Sequence, residues 1–280
     1  MRTSSLALVA LVGSLACGGP ATSGPRTSQT AHGSATLFPD TAGDPAGVVE
    51  AEVELVTDDG VRLAATYRAG PPGSRRAVVL LHQLSSTRAE WAPIVAGLAG
   101  RYHVLTLDMR GHGQSIHRSD GTELRWKDFV AEDWADGLLD LEAARSFLAT
   151  MDIGTADTVY VGSSIAATQV LRLVGKYFDT AGIVLLSPGL RYRGLDVVPA
   201  AKQYDRPALL VTSSEAAPAE AADLLTAVWG QAAAGPAVRP RRHQAPGSAH
   251  GMRMAGDDPT LVPAIVGFID EVLSAQPPTP

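Results

Sequence analysis

From residue 50 onward, apolar and polar positions alternate between the two periods of strands and helices. Glu52 to Thr57 and Val61 to Arg68 are short strand-like runs flanking Asp58-Asp59-Gly60, so they predict a hairpin. Ala77 to Leu81 is apolar without a break, the pattern of a strand buried on both faces. Helical spacing follows over Ala89 to Leu98, then a strand over Tyr102 to Leu107. Trp126 to Met151 predicts one or two helices, with Leu138, Leu141, Ala144 and Leu148 along one face. Strands are predicted at Thr158 to Val161, Gly182 to Leu186 and Ala208 to Thr212, and a weak one at Val238 to His243. Helices are predicted at Ile165 to Tyr177, Pro218 to Trp229 and Pro259 to Leu273. A hairpin followed by repeated strand–helix units implies an α/β fold. The expectation is a three-layer α/β/α sandwich around a mostly parallel sheet of roughly eight strands.

The N-terminus follows neither period. Arg2 precedes a short apolar run, Leu6 to Ala16, too short to span a bilayer as a helix. The run ends in Ser-Leu-Ala-Cys17 followed by two glycines, which resembles a bacterial lipoprotein signal; Ser14 stands where Leu is more usual. That resemblance implies export, cleavage before Cys17 and a lipid anchor in the cell envelope. An ordinary secretory signal is the alternative. Residues 18–48, rich in Gly, Ser, Thr, Pro and Ala, read as a flexible tether, residues 49–275 as one catalytic domain, and residues 276–280 as a disordered tail. Of the 280 residues 45% are hydrophobic and 19% charged, in keeping with one soluble α/β domain. The net charge of −6 and the absence of a long Lys/Arg run argue against a nucleic-acid partner. Cys17 is the only cysteine, so neither an internal disulfide nor a catalytic thiol in the body is possible.

In a parallel sheet, active groups gather at the carboxyl ends of strands. After the fifth predicted strand, Val159-Tyr-Val-Gly162-Ser163-Ser164-Ile165-Ala166-Ala167 runs from strand to helix through small residues. This resembles a Gly-x-Ser-x-Gly nucleophile elbow, with Ala166 where Gly is commoner. Ser163 is the neighbouring alternative, but the elbow's register selects Ser164. Further segments carry a wider likeness: His82-Gln83-Leu84 after the third strand, Asp108-Met-Arg110-Gly111-His112-Gly113-Gln-Ser115 after the fourth, Ser187-Pro188-Gly189 after the sixth, and Ala249-His250-Gly251 before the last helix. Over nearly all of residues 50–275 the chain resembles the α/β-hydrolase family, closest to its lidless dienelactone-hydrolase-like and acyl-esterase-like members.

The resemblance implies roles. Ser164 is the nucleophile and His250 its base, because a serine hydroxyl needs a proton acceptor to attack. The backbone N–H groups of Leu84 and Ile165 are the oxyanion donors, with Gln83 standing where the family usually has Gly. The acid that orients His250 is expected after the seventh strand, where Glu215 replaces the usual Asp; Asp196, after the sixth strand, is the fallback, and the competing reading of Glu215 is a first-turn helix carboxylate. His82 and His112 fall in segments that hold loops in place, while His103, His117 and His243 have no motif context. No cofactor is implied, and no H-E-x-x-H or comparable metal spacing occurs. The expected activity is hydrolysis of a carboxylic ester or related acyl bond on a small substrate. A peptidase or thioesterase on the same residues, or a surface lipoprotein that has lost the chemistry, are the competing readings. Tyr192, Trp91 and Trp229 are aromatic residues that could line the site or pack the core.

Overall fold

The computed structural model describes residues 35–38, 50–232 and 240–275. Cys17, the rest of the apolar leader, most of the segment read as a tether, and the tail lie outside them. In chain order the strands are β1 (Ala35–Phe38), β2 (Glu50–Val56), β3 (Val61–Arg68), β4 (Ala77–Leu81), β5 (His103–Leu107), β6 (His117–Arg118), β7 (Thr158–Ser163), β8 (Gly182–Leu186), β9 (Arg191–Tyr192), β10 (Leu195–Asp196), β11 (Ala208–Thr212) and β12 (Arg241–Gln244). The helices are α1 (Ala92–Leu98), α2 (Ala131–Asp136), α3 (Leu138–Ala149), α4 (Ile165–Val174), α5 (Val198–Ala201), α6 (Ala216–Ala232) and α7 (Leu261–Ala275).

The main sheet runs β1-β2-β3-β5-β4-β7-β8-β11-β12, with β6 attached to β3. From β5 to β12 every pairing is parallel, while β1, β2 and β3 form an antiparallel edge. This is the α/β-hydrolase fold, a mostly parallel sheet with helices packed around it. Strand β4 shows why its apolar run is continuous. Ala77, Val79 and Leu81 face a core with Leu141 of α3 and Val170 of α4, while Val78 and Leu80 face Ile94 of α1 and Ile265 of α7. A side-chain period of two on a sheet covered on both faces leaves no polar position.

The hairpin turns at Gly60, whose φ of +81° suits a residue without a Cβ. Two stretches differ from the sequence reading. Ala35–Phe38, within the stretch read as a tether, forms a strand against β2 with Ala35 opposite Leu55. Four residues are too few to show a period, and the pairing is a tertiary effect of β2's free edge. The connection between Leu186 and Ala208 holds a β9–β10 ribbon and the single turn of α5.

Candidate active site

Strand β7 is buried at all six positions and feeds directly into α4. Between them Ser164 has φ 57° and ψ −116°. A non-glycine residue held there stores of order 1–3 kcal/mol of strain that its surroundings must offset. Its N–H donates to the Leu186 carbonyl of β8 at 2.8 Å, and its own carbonyl accepts from Ala167 N–H at 2.9 Å. The small residues around it have a steric cause. A Cβ on Gly162 would lie 2.6 Å from the Ala166 carbonyl carbon and oxygen, and backbone atoms cannot move aside as a flexible side chain would.

His250 and Glu215 come from the ends of neighbouring strands. Glu215 follows β11 at the start of α6, and His250 lies between β12 and the 3-10 turn Gly251–Gly256. His250 Nδ1 is 2.7 Å from Glu215 Oε2, and both side chains are about one-third exposed, at 34% and 29%. A carboxylate only accepts, so the imidazole proton sits on Nδ1 and leaves Nε2 free to accept. Ser164, Ile165, Glu215 and His250 line one cavity of about 610 Å3. Among the described residues no hydrogen bond joins Ser164 Oγ to His250, and Leu84 does not line the cavity. Asp196 points elsewhere: it is exposed, accepts from Arg191 Nε at 2.9 Å and caps the Val198 N–H at 3.0 Å. Tyr192 lines the cavity, whereas Trp91 and Trp229 are buried core residues, the latter donating to the Ala201 carbonyl.

Ile165 is the first residue of α4, so its N–H has no acceptor within the helix. Beside Leu84, Gln83 is 3% exposed and its N–H donates to Glu90 Oε1 at 3.0 Å. Its carboxamide, oriented with oxygen toward Arg253, accepts from Arg253 Nε at 2.9 Å and Nη2 at 3.2 Å and donates to the His250 carbonyl at 3.1 Å. Gln83 thus ties the loop after β4 to the loop carrying His250. Gly251, at φ +60°, makes room for it, since a Cβ there would sit 1.9 Å from the end of the Gln83 carboxamide that faces the His250 carbonyl. Sequence reasoning marked Gln83 as a departure and missed Arg253, which carries no motif.

A second set of contacts secures the turn after β5. His82 Nε2 accepts from Met109 N–H at 2.9 Å, which puts its proton on Nδ1 facing the Gln83 carbonyl at 2.7 Å. Burial pushes the His82 imidazole down to about 4. His112 stacks on Trp126 with ring centroids 5.3 Å apart, and burial lowers its pKa as well. Arg110 is buried between Asp140, at 2.7 Å from Nε, and Asp59, at 2.9 Å from Nη1. Asp108 accepts from Gln114 N–H at 2.9 Å, and Gly113 leaves space for that carboxylate. Among the described residues no group of three His, Cys, Asp or Glu converges as a metal site requires, and no helix is long and apolar enough to cross a membrane.

Known proteins resemble this chain at two levels. In sequence, a 63-residue stretch is 38% identical to an (E)-2-((N-methylformamido)methylene)succinate hydrolase of Acinetobacter baylyi, covering 22% of this chain and 22% of that protein. In structure, an esterase of Pyrococcus furiosus superposes with a TM-score of 0.64 at 17% identity, covering 81% of this chain and 92% of the esterase. A CIB-like hydrolase of Thermoplasma acidophilum gives 0.59 at 20% identity, over 80% and 100% of the two chains. Est1E of Butyrivibrio proteoclasticus gives 0.57 at 15%, over 79% and 99%. At such identities these structures speak for the fold alone. Residues 78–277 match the alpha/beta hydrolase family, and with that match over most of its length the chain belongs to that family.

Proposed function

We propose that this protein cleaves a carboxylic ester or related acyl bond through an acyl-enzyme on Ser164, with His250 as base and Glu215 as the carboxylate that orients it. The observation that carries the reading is the strained Ser164 turn opening into the same cavity as a His250 whose Nδ1 is 2.7 Å from Glu215. In this reading Ser164 Oγ bonds to the substrate's carbonyl carbon while its proton passes to His250 Nε2. The tetrahedral oxyanion is met by the N–H groups of Ile165 and Leu84. Collapse breaks the ester bond, and the leaving alkoxide takes the proton from His250. Water then attacks the acyl carbon as His250 again accepts a proton, and Ser164 is released with the carboxylic acid. Glu215 keeps its contact with His250 Nδ1 and stabilises the imidazolium in both steps.

Labelling with a fluorophosphonate tests this directly. Wild-type protein is expected to label, and Ser164→Ala and His250→Ala are expected not to. A folded wild type that fails to label would refute the serine mechanism. On the same reading Cys17 is lipidated and holds the exported catalytic body at a membrane surface. Loss of metabolic lipid labelling in Cys17→Ala checks that part separately.

A further inference from the structure

We propose that the cavity at Ser164 takes a neutral substrate arm of medium length and rejects an anionic one, so that the substrates are alkanoyl esters rather than half-esters of dicarboxylic acids. This rests on the serine-hydrolase reading and names the substrate class of that site.

The walls of the cavity carry the argument. Helix α6 turns Ala217, Ala221 and Leu224 toward it at spacings of four and three, so one stripe of the helix forms a continuous apolar wall. Ile165, Leu190 and Val198 face it from other elements. Leu224 is 45% exposed and Tyr192 39%, more than their apolar surface favours, and both lie where a ligand would cover them. About 610 Å3 is ample for a six-carbon chain beside the reacting carbonyl.

The charged lining is unbalanced. Glu215 is engaged by His250, and Arg191, which among the described residues is the one Arg or Lys lining the cavity, pairs with Asp196 at 2.9 Å on the exposed surface. Glu220 is exposed, and no ion pair to it occurs among the described residues. A carboxylate at the end of a substrate arm would therefore lose water against apolar side chains, compete with Asp196 for Arg191, and meet Glu220. A methyl end would instead gain by burial, up to about fourfold in binding per methylene when fully covered.

The test compares kcat/KM of the full-length protein for the p-nitrophenyl esters of acetate, butyrate and hexanoate with that for p-nitrophenyl hydrogen adipate, whose chain is as long as hexanoate but ends in a carboxylate. Expected are a rise of about tenfold or more from acetate to hexanoate and a deficit of about thirtyfold for the adipate ester. Leu224→Lys adds a cation at an exposed helix position and is expected to raise adipate turnover about fivefold or more while lowering that of hexanoate. Hexanoate turnover above background and an unchanged circular dichroism spectrum show the variant folded. Enzyme that labels with fluorophosphonate but treats hexanoate and adipate within threefold, or shows no rise with chain length, overturns the substrate proposal alone. Enzyme that neither labels nor turns over any ester removes the serine-hydrolase reading and this inference together.

Discussion

Gln83 stands where the family usually has glycine, and Gln83→Leu isolates what its carboxamide does. Leucine keeps most of the volume, so no large cavity opens. Three hydrogen bonds disappear: the one to the His250 carbonyl at 3.1 Å and those from Arg253 Nε at 2.9 Å and Nη2 at 3.2 Å. At about 1 kcal/mol each the ceiling is near 3 kcal/mol. Arg253 is exposed and can turn to water, so about 2–3 kcal/mol is expected. For a domain of this size that lowers Tm by about 4–12 °C. The His250 loop also loses its brace to the loop after β4, so fluorophosphonate labelling should slow about tenfold at temperatures where the variant is fully folded. Gln83→Glu separates the two effects. Its carboxylate can pair with Arg253 but cannot donate to the His250 carbonyl, so it should recover most of the Tm and little of the labelling rate. Melting by calorimetry and labelling at 25 °C measure both. A Gln83→Leu protein that melts within 2 °C of wild type and labels at the same rate would show that the carboxamide braces nothing.

Glu215→Ala is expected to lower kcat/KM about 10²- to 10⁴-fold, while Asp196→Asn stays within about twofold; steady-state ester hydrolysis reads both, and the opposite order would make Asp196 the acid. Gly162→Ala pushes a methyl against the Ala166 backbone and should destabilise the fold by about 3 kcal/mol or more, seen as a loss of soluble protein or of urea midpoint; a near-native midpoint would mean strand and helix can part without cost. His82 is held neutral, with its pKa pushed down to about 4 against about 6.5 in the unfolded chain. Between those values the unfolded chain holds the extra proton, so stability should drop as pH falls from 6.5 to 4, by on the order of 3 kcal/mol. Urea unfolding at pH 7 and 4.5 measures it, and a slope unaltered in His82→Gln would clear this residue.

The parts of the molecule that were legible in the sequence are those where local sterics leave one choice. The continuous run Ala77–Leu81 could only be a strand covered on both faces, and the small residues around Ser164 reflect a strand and a helix passing at backbone contact. The Asp108–Ser115 turn was read through family resemblance, and the structure supplies its steric cause: Gly113 stands against the buried Asp108 carboxylate. Glu215 was reached through family resemblance: nothing local distinguishes it from a carboxylate at a helix start, and its approach to His250 depends on the packing of β11 against β12. Strand β1 and the β9–β10 ribbon were missed because two to four residues cannot show a period. The Gln83–Arg253 brace was equally invisible, since it joins loops far apart in sequence through side chains that match no pattern.

Strand β7 sits between β4 and β8, in register with residues 77–81 on one side and 182–186 on the other. Ser164 reaches its unfavourable backbone geometry only while both ladders hold, because the amide that fixes it bonds to the Leu186 carbonyl. An excised β7–α4 peptide would relax to ordinary dihedrals, and a collapsed intermediate with native helices would still lack the turn. Contacts of such long sequence separation form late and slowly. On the proposed serine mechanism, recovery of fluorophosphonate labelling at Ser164 after dilution from urea should therefore lag the helical signal and coincide with the last cooperative step, which would make it a clock for completion of the sheet.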